Sequence, residues 1–180
     1  MSEDRPRGVP AADAALGCPE CGREGRTVSS STLDALLTQA ARMRRGDGAY
    51  RFCASRDCGV AYYGRSGARF AVEDVVGVIF QKSDDPSRLA CYCFGHTVRS
   101  IELDASRTEG STILERIVAS CRAGLDDCAR RNPQGRCCLG NVRGVAEAAR
   151  RRATQVAPRD EQLVAPCPGC APTSTRSEEP

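Results

Sequence analysis

The 180-residue chain contains no tryptophan, four phenylalanines and four tyrosines. It therefore has few of the side chains that bury most area. Small lobes with thin aromatic cores usually need staples, either disulfides or metals. Histidine occurs once, as His96, which leaves little for a catalytic triad. No glycine loop of the phosphate-binding kind is present, so enzymatic chemistry has little support. Carboxylate pairs such as Asp84-Asp85 and Asp126-Asp127 lie in polar turns and read as solvated. No stretch is long and apolar enough to span a membrane. Residues 1–17 carry charges and prolines in place of the apolar run of a secretory signal. Of 26 Lys and Arg residues only Lys82 is a lysine, a bias that reads as GC-rich coding more than as a binding surface. The formal net charge is +3, with acidic residues interspersed nearly everywhere. A nucleic-acid binder concentrates basic charge on one face. The one dense run, Arg150-Arg151-Arg152, reads as a solvated helix end. The expectation is a cytoplasmic, non-enzymatic protein with neither nucleic acid nor membrane insertion among its partners.

What is abundant is cysteine, with twelve residues. In a reducing compartment, close cysteine pairs are more often metal ligands than disulfides. Cys18-x-x-Cys21 and Cys53-x4-Cys58 form two knuckles on either side of a predicted helix. Four thiolates in two close pairs suit tetrahedral zinc, and a closed four-sulfur shell makes that zinc structural. A redox dithiol and free core thiols are the alternatives. The redox reading expects a strand before the C-x-x-C, whereas a Pro-rich segment precedes it. Cys91-Tyr92-Cys93 holds two thiolates so close that they repel unless a cation neutralises them. Downstream lie Cys128, Cys137 and Cys138, around Asn132-Pro133-Gln134-Gly135. A two-iron, two-sulfide cluster requires four thiolates. Cys121 falls on the apolar face of its helix and reads as a packed thiol.

The predicted fold class is α+β: a zinc-binding β/α lobe at 17–82, a linker at 83–87 and a mainly helical cluster-binding lobe at 88–156. Disordered tails are expected at 1–16 and 157–180. In the first lobe the periodicity of Leu33, Leu36, Leu37 and Ala40 predicts a helix over 32–45, capped by Ser31 or Thr32. Strand-like runs follow at 50–52, 60–63, 70–72 and 75–80. In the second, Thr97 caps a short helix, and Thr112 with Glu115 forms a capping box. Gly124 ends the helix that follows. Residues 132–135 form a turn, and a last helix runs over 141–154 with Val142, Val145, Ala146 and Ala149 inward.

Two long motifs, Cys91-Tyr92-Cys93-Phe94-Gly95-His96-Thr97 and Asn132-Pro133-Gln134-Gly135-Arg136-Cys137-Cys138-Leu139-Gly140, resemble the N-terminal domain of CopZ-type copper chaperones. Related proteins are the iron–sulfur cluster-binding metallochaperones. The Cys-Pro-Glu-Cys-Gly at 18–22 and the run from Phe52 to Tyr63 are similar to that family's zinc module. A weaker resemblance links the second lobe to the two-iron domain of bacterioferritin-associated ferredoxin. The resemblance implies a [2Fe-2S] cluster on Cys91, Cys93, Cys128 and Cys138, with Cys137 as the competitor for the last place. It also implies a role in copper handling, with a copper-transporting ATPase or a separate copper-carrying domain as partner. Relatives often have a further cysteine before the one matching Cys128, where this chain has Asp126-Asp127. Full-length chaperones of this type add a domain with a Met-x-Cys-x-x-Cys copper loop. This chain has in its place the tail Cys167-Pro168-Gly169-Cys170, a candidate for Cu(I). A small ferredoxin-like electron carrier and a zinc-dependent interaction module are the rival functions.

Overall fold

The computed structural model describes residues 17–107 and 111–156. The expected tails at 1–16 and 157–180, including Cys167 and Cys170, lie outside the described residues. The fold is α+β, an antiparallel sheet followed by a mainly helical region.

The sheet has the order β1-β2-β3-β4, built from β1 (Arg26–Val28), β2 (Tyr50–Phe52), β3 (Val60–Gly64) and β4 (Arg69–Ala71). Every neighbouring pair is antiparallel. Alternation in β2 buries Tyr50 and Phe52 and leaves Arg51 half out. β3 is buried along nearly its whole length because both its faces are covered. Tyr62 joins the apolar core, and Tyr63 packs on the cysteine knuckles. That core holds Tyr50, Phe52, Tyr62 and Phe70. The scarce aromatics are thus concentrated in the first lobe, whose core is not thin. The second core is built from Ile101, Ile113, Ile117, Val142 and small residues, with phenylalanines only at its margin.

The expected helix over 32–45 is two helices, α1 (Ser30–Leu36) and α2 (Gln39–Met43). Leu37 takes an extended conformation and bridges Val75, while Thr38 N–H donates to the Asp74 carbonyl at 2.8 Å. Thr38 then caps α2, its hydroxyl accepting from Ala41 N–H. The break shifts the helical phase, so Ala41 is buried and Ala40 exposed. The cap of α1 is Ser29, whose hydroxyl accepts from Thr32 N–H. The run at 75–80 is not a strand. Its only ladder contact is the Leu37–Val75 bridge, Gly77 turns it with φ +83, and it ends in a 3-10 turn, Phe80–Lys82. The run at 70–72 divides between β4 and a second 3-10 turn, Val72–Asp74.

The second region opens with a small hairpin, β5 (Leu89–Cys91) and β6 (His96–Thr97). Helices α3 (Val98–Arg107), α4 (Thr112–Arg122), α5 (Cys128–Arg131) and α6 (Leu139–Val156) follow. Thr97 caps α3, its hydroxyl accepting from Ser100 N–H at 3.1 Å. The cap of α4 is Ser111, one residue before the expected Thr112. Asp104 locks that joint by accepting from Thr112 Oγ1, Ser111 Oγ and Ile113 N–H. Gly124 ends α4 with φ +70, and Gly135 N–H closes the predicted turn on the Asn132 carbonyl. Val142, Ala146 and Ala149 of α6 face the core as expected, with Val145 partly buried beside them.

The two regions are joined by specific polar contacts. Tyr62 Oη donates to the Pro133 carbonyl at 2.6 Å, and Thr32 Oγ1 to that of Ala129 at 2.7 Å. Gln81 Nε2 donates to Gln134 Oε1 at 2.7 Å, and Phe80 N–H to Tyr92 Oη at 2.8 Å. Gly135 lies at this junction with φ +67, where an added Cβ would come within 3.0 Å of Thr32 Oγ1. Only glycine meets both conditions without strain.

Candidate metal centres

The first cysteine set converges because two loops meet beside β3. The turn bearing Cys18 and Cys21 is closed by Gly22 N–H on the Cys18 carbonyl and Cys18 N–H on the Arg23 carbonyl. The loop between β2 and β3 carries Cys53 and Cys58 and is tied down by Cys53 N–H on the Ala61 carbonyl. The four sulfurs lie within 4.8 Å of one another. Cys18 and Cys58 are 3.7 Å apart, and Cys21 and Cys53 3.6 Å. Tetrahedral zinc with sulfurs at about 2.3 Å separates them by about 3.8 Å, so these residues fit the ion.

Three of the four cysteines are buried, and Cys21 is half-buried. A hydrogen bond with Ser55 Oγ, then the backbone at Arg23, holds the Cys21 thiol down at about 6. Burial pushes Cys58 up to about 12 and raises Cys18 as well. Metal binding requires all four thiols as thiolates, so the set loses its protons as zinc binds. Glu20 Oε1 accepts from Gly59 N–H at 2.8 Å and links the two knuckles across the site. Four cysteine ligands close the shell, leaving no position for a substrate.

The structure also brings the second set together, as two pairs. Cys93 Sγ lies 3.5 Å from Cys128 Sγ. Cys91 and Cys138 are buried in the same core cluster, and each thiol shifts the ionisation of the other. Each thiol comes from a different piece of backbone: β5, the hairpin turn, the start of α5 and the residue before α6. Cys91, Cys128 and Cys138 are buried, Cys93 is half-buried, and Cys137 points to solvent. The contact with Cys138 holds Cys91 down at about 7, and that contact together with burial pushes Cys138 well up. Burial, then Cys93, raises Cys128. Asp127 N–H donates to Cys93 Sγ at 3.3 Å. Cys121 is half-buried at the edge of the second core, and burial raises its thiol to about 11. His96 is paired in register with Cys91 across the hairpin.

Sequence reasoning missed Lys82, whose Nζ approaches the first set, and Ser55, which is bonded to Cys21. Being the one lysine of the chain was the signal Lys82 offered. Ser55 offered none beyond its place inside the Cys53–Cys58 loop. Among the described residues no helix is long and apolar enough to cross a membrane.

Residues 15–76 match the family model zf_CopZ, described as a zinc binding domain. Among solved structures, the chain is similar to the N-terminal domain of CopZ from Archaeoglobus fulgidus. The TM-score is 0.58 at 26% identity, covering 72% of this chain and 97% of that one. No curated protein matches the chain. The matched segment contains all four cysteines of the first set, and their spacing fits tetrahedral zinc. Cys18, Cys21, Cys53 and Cys58 thus form a four-cysteine site inside the segment that is similar to the CopZ zinc binding domain.

Proposed function

We propose that this protein is a cytoplasmic, non-enzymatic metal-handling protein that carries a [2Fe-2S] cluster beside its structural zinc and serves copper metabolism. The observation that carries the cluster is the arrangement of the second cysteine set. Cys93 and Cys128 lie 3.5 Å apart, Cys91 and Cys138 share one buried cluster, and the four come from separate backbone segments. Among the described residues only the first set gathers three or more ligand atoms within 4.8 Å. Two separate pairs suit two irons, each taking two cysteine sulfurs. When bound, the cluster supplies one-electron chemistry. The chain holds it with Cys91, Cys93, Cys128 and Cys138, and Cys138 is favoured over Cys137 because it is buried against Cys91. The Asp127 N–H on Cys93 is the kind of hydrogen bond to sulfur that tunes a cluster's potential.

The copper assignment rests on the resemblance to copper chaperones and on the thiol pair Cys167 and Cys170, since soft thiolates suit Cu(I). A copper-transporting ATPase or a separate copper-carrying domain is the partner this role requires. The test is zinc, iron and acid-labile sulfide analysis of anaerobically prepared protein. One zinc, two irons and two sulfides per chain are expected. Two zincs without sulfide would overturn the cluster and leave the zinc-dependent interaction module. For copper, the full chain is titrated with a Cu(I) chelator beside a chain ending at Pro158. Tight Cu(I) binding is expected only in the full chain. A full chain that takes no Cu(I) from the chelator is instead a small electron carrier.

A further inference from the structure

Wherever else this chain places a long basic side chain, it uses arginine. Lys82 is the exception, and it ends the 3-10 turn Phe80–Lys82. Its side chain reaches back to the loop that carries two of the four zinc ligands. Nζ donates to the Ser55 carbonyl at 2.5 Å and the Cys58 carbonyl at 2.9 Å, and lies 3.8 Å from Cys53 Sγ. An ammonium has three donors around one nitrogen, and here three acceptors converge on it. A guanidinium spreads its donors over a rigid planar fork and cannot place three on one point.

Four thiolates around one divalent ion carry an excess of two negative charges, in a site where three of the four cysteines are buried. A cation against one sulfur offsets part of that excess. Its two carbonyl anchors also span the loop from Ser55 to Cys58 and so fix the separation of Cys53 and Cys58. We propose that Lys82 is a positioning residue of the zinc centre, a fixed cation that clamps the Cys53–Cys58 loop and stabilises the tetrathiolate. It comes from outside the segment matched by the zinc-domain family model, which ends at residue 76. The zinc site is therefore completed by the stretch of chain that leads into the second region.

Ligand-orienting partners of this kind typically change metal affinity 10–100-fold when removed. The test compares Lys82→Met and Lys82→Arg with the unaltered full chain. Zinc affinity is measured by competition with a chromophoric chelator. The thiolate-to-metal charge-transfer band is read after cobalt(II) substitution. Lys82→Met should weaken zinc about 10–100-fold and move the cobalt band to longer wavelength, because the Cys53 sulfur loses its neighbouring cation. Lys82→Arg should recover part of both, restoring charge without the three-point contact. Zinc affinity within twofold of wild type in Lys82→Met would overturn the proposal. So would weakened binding with an unmoved band and no recovery by arginine, which would mark a packing role only. Should Lys82→Met fail to fold at saturating metal, Lys82→Gln, with a shorter neutral stem and an amide donor, is judged by the same criteria.

Discussion

Tyr62→Phe isolates one bond between the sheet and the second cysteine region. The Tyr62 ring is fully buried in the first core, and its hydroxyl donates to the Pro133 carbonyl at 2.6 Å, across 71 residues of sequence. Burial raises the phenol far above its ordinary range, so it remains a donor throughout neutral pH. Phenylalanine keeps the ring and the apolar area and deletes only the donor. What is lost is the net bond, together with the cost of a carbonyl left without its partner. A buried group stripped of its partner costs about 1–3 kcal/mol. For a domain of this size, 1 kcal/mol corresponds to a Tm change of roughly 2–8 °C. Thermal unfolding of the zinc-loaded protein, followed by circular dichroism, should therefore show a Tm lower by several degrees. Zinc content should be unchanged, because the bond ends on the Pro133 carbonyl and on none of the four ligands. A Tm within 1 °C of wild type, on the order of the smallest shift that scale allows, would mean that the hydroxyl and carbonyl are not joined in solution. Loss of zinc would mean that the hydroxyl supports the knuckles rather than the junction.

The ligand sets should separate by mutation: Cys91→Ala should lose iron and keep zinc, and Cys18→Ala the reverse, both read by elemental analysis. Equal loss of both metals in each variant would refute two independent sites. Because Cys138 is buried against Cys91 while Cys137 faces solvent, Cys138→Ser should alter the visible spectrum of the reconstituted cluster and Cys137→Ser should not. The opposite result would reassign the fourth ligand. Asp104 gives a pH signature. Burial alone would raise its carboxyl, but bonds from Thr112, the Ile113 N–H and Ser111, aided by Arg116, outweigh it and hold the group below its usual value. Its contribution is thus fully present above the unfolded value near pH 4 and is lost as pH falls through the lower folded value. Asp104→Asn should cost about 1–2 kcal/mol at pH 7, and urea curves of mutant and wild type should converge as pH falls below the lowered folded value. A constant gap at all pH values would show that the carboxylate charge is irrelevant.

The zinc knuckles were legible because thiolate chemistry demands close pairs, and the spacings at 18–21 and 53–58 leave few other readings. Thr97 and Gly124 were legible for a similar reason, since each meets a local need of a helix end. What stayed hidden depended on distant partners. Leu37 fits a helix by periodicity, yet it leaves the helix to meet Val75, a tertiary gain that outweighs propensity. The β-rich run at 75–80 has the composition of a strand, but Gly77 turns it away from a ladder. Three consecutive serines at 29–31 give no local basis for choosing the cap, and the fold selects the first. The pairing of Cys91 with Cys138 was not legible as geometry at all. It depends on a hairpin and a helix start brought together by the packing of α3 against α6.

The outer strands of the sheet, β1 and β4, have three residues each. Such short edges offer little template for another chain. β1 is anchored just before its start by the Cys18–Cys21 turn, where Gly17 bridges Glu24. Were zinc withdrawn, that anchor would loosen and β1 could peel from β2, uncovering a strand lined by Tyr50 and Phe52. The ion thus holds one border of the sheet in place, and chelation should loosen β1 before the strands behind it.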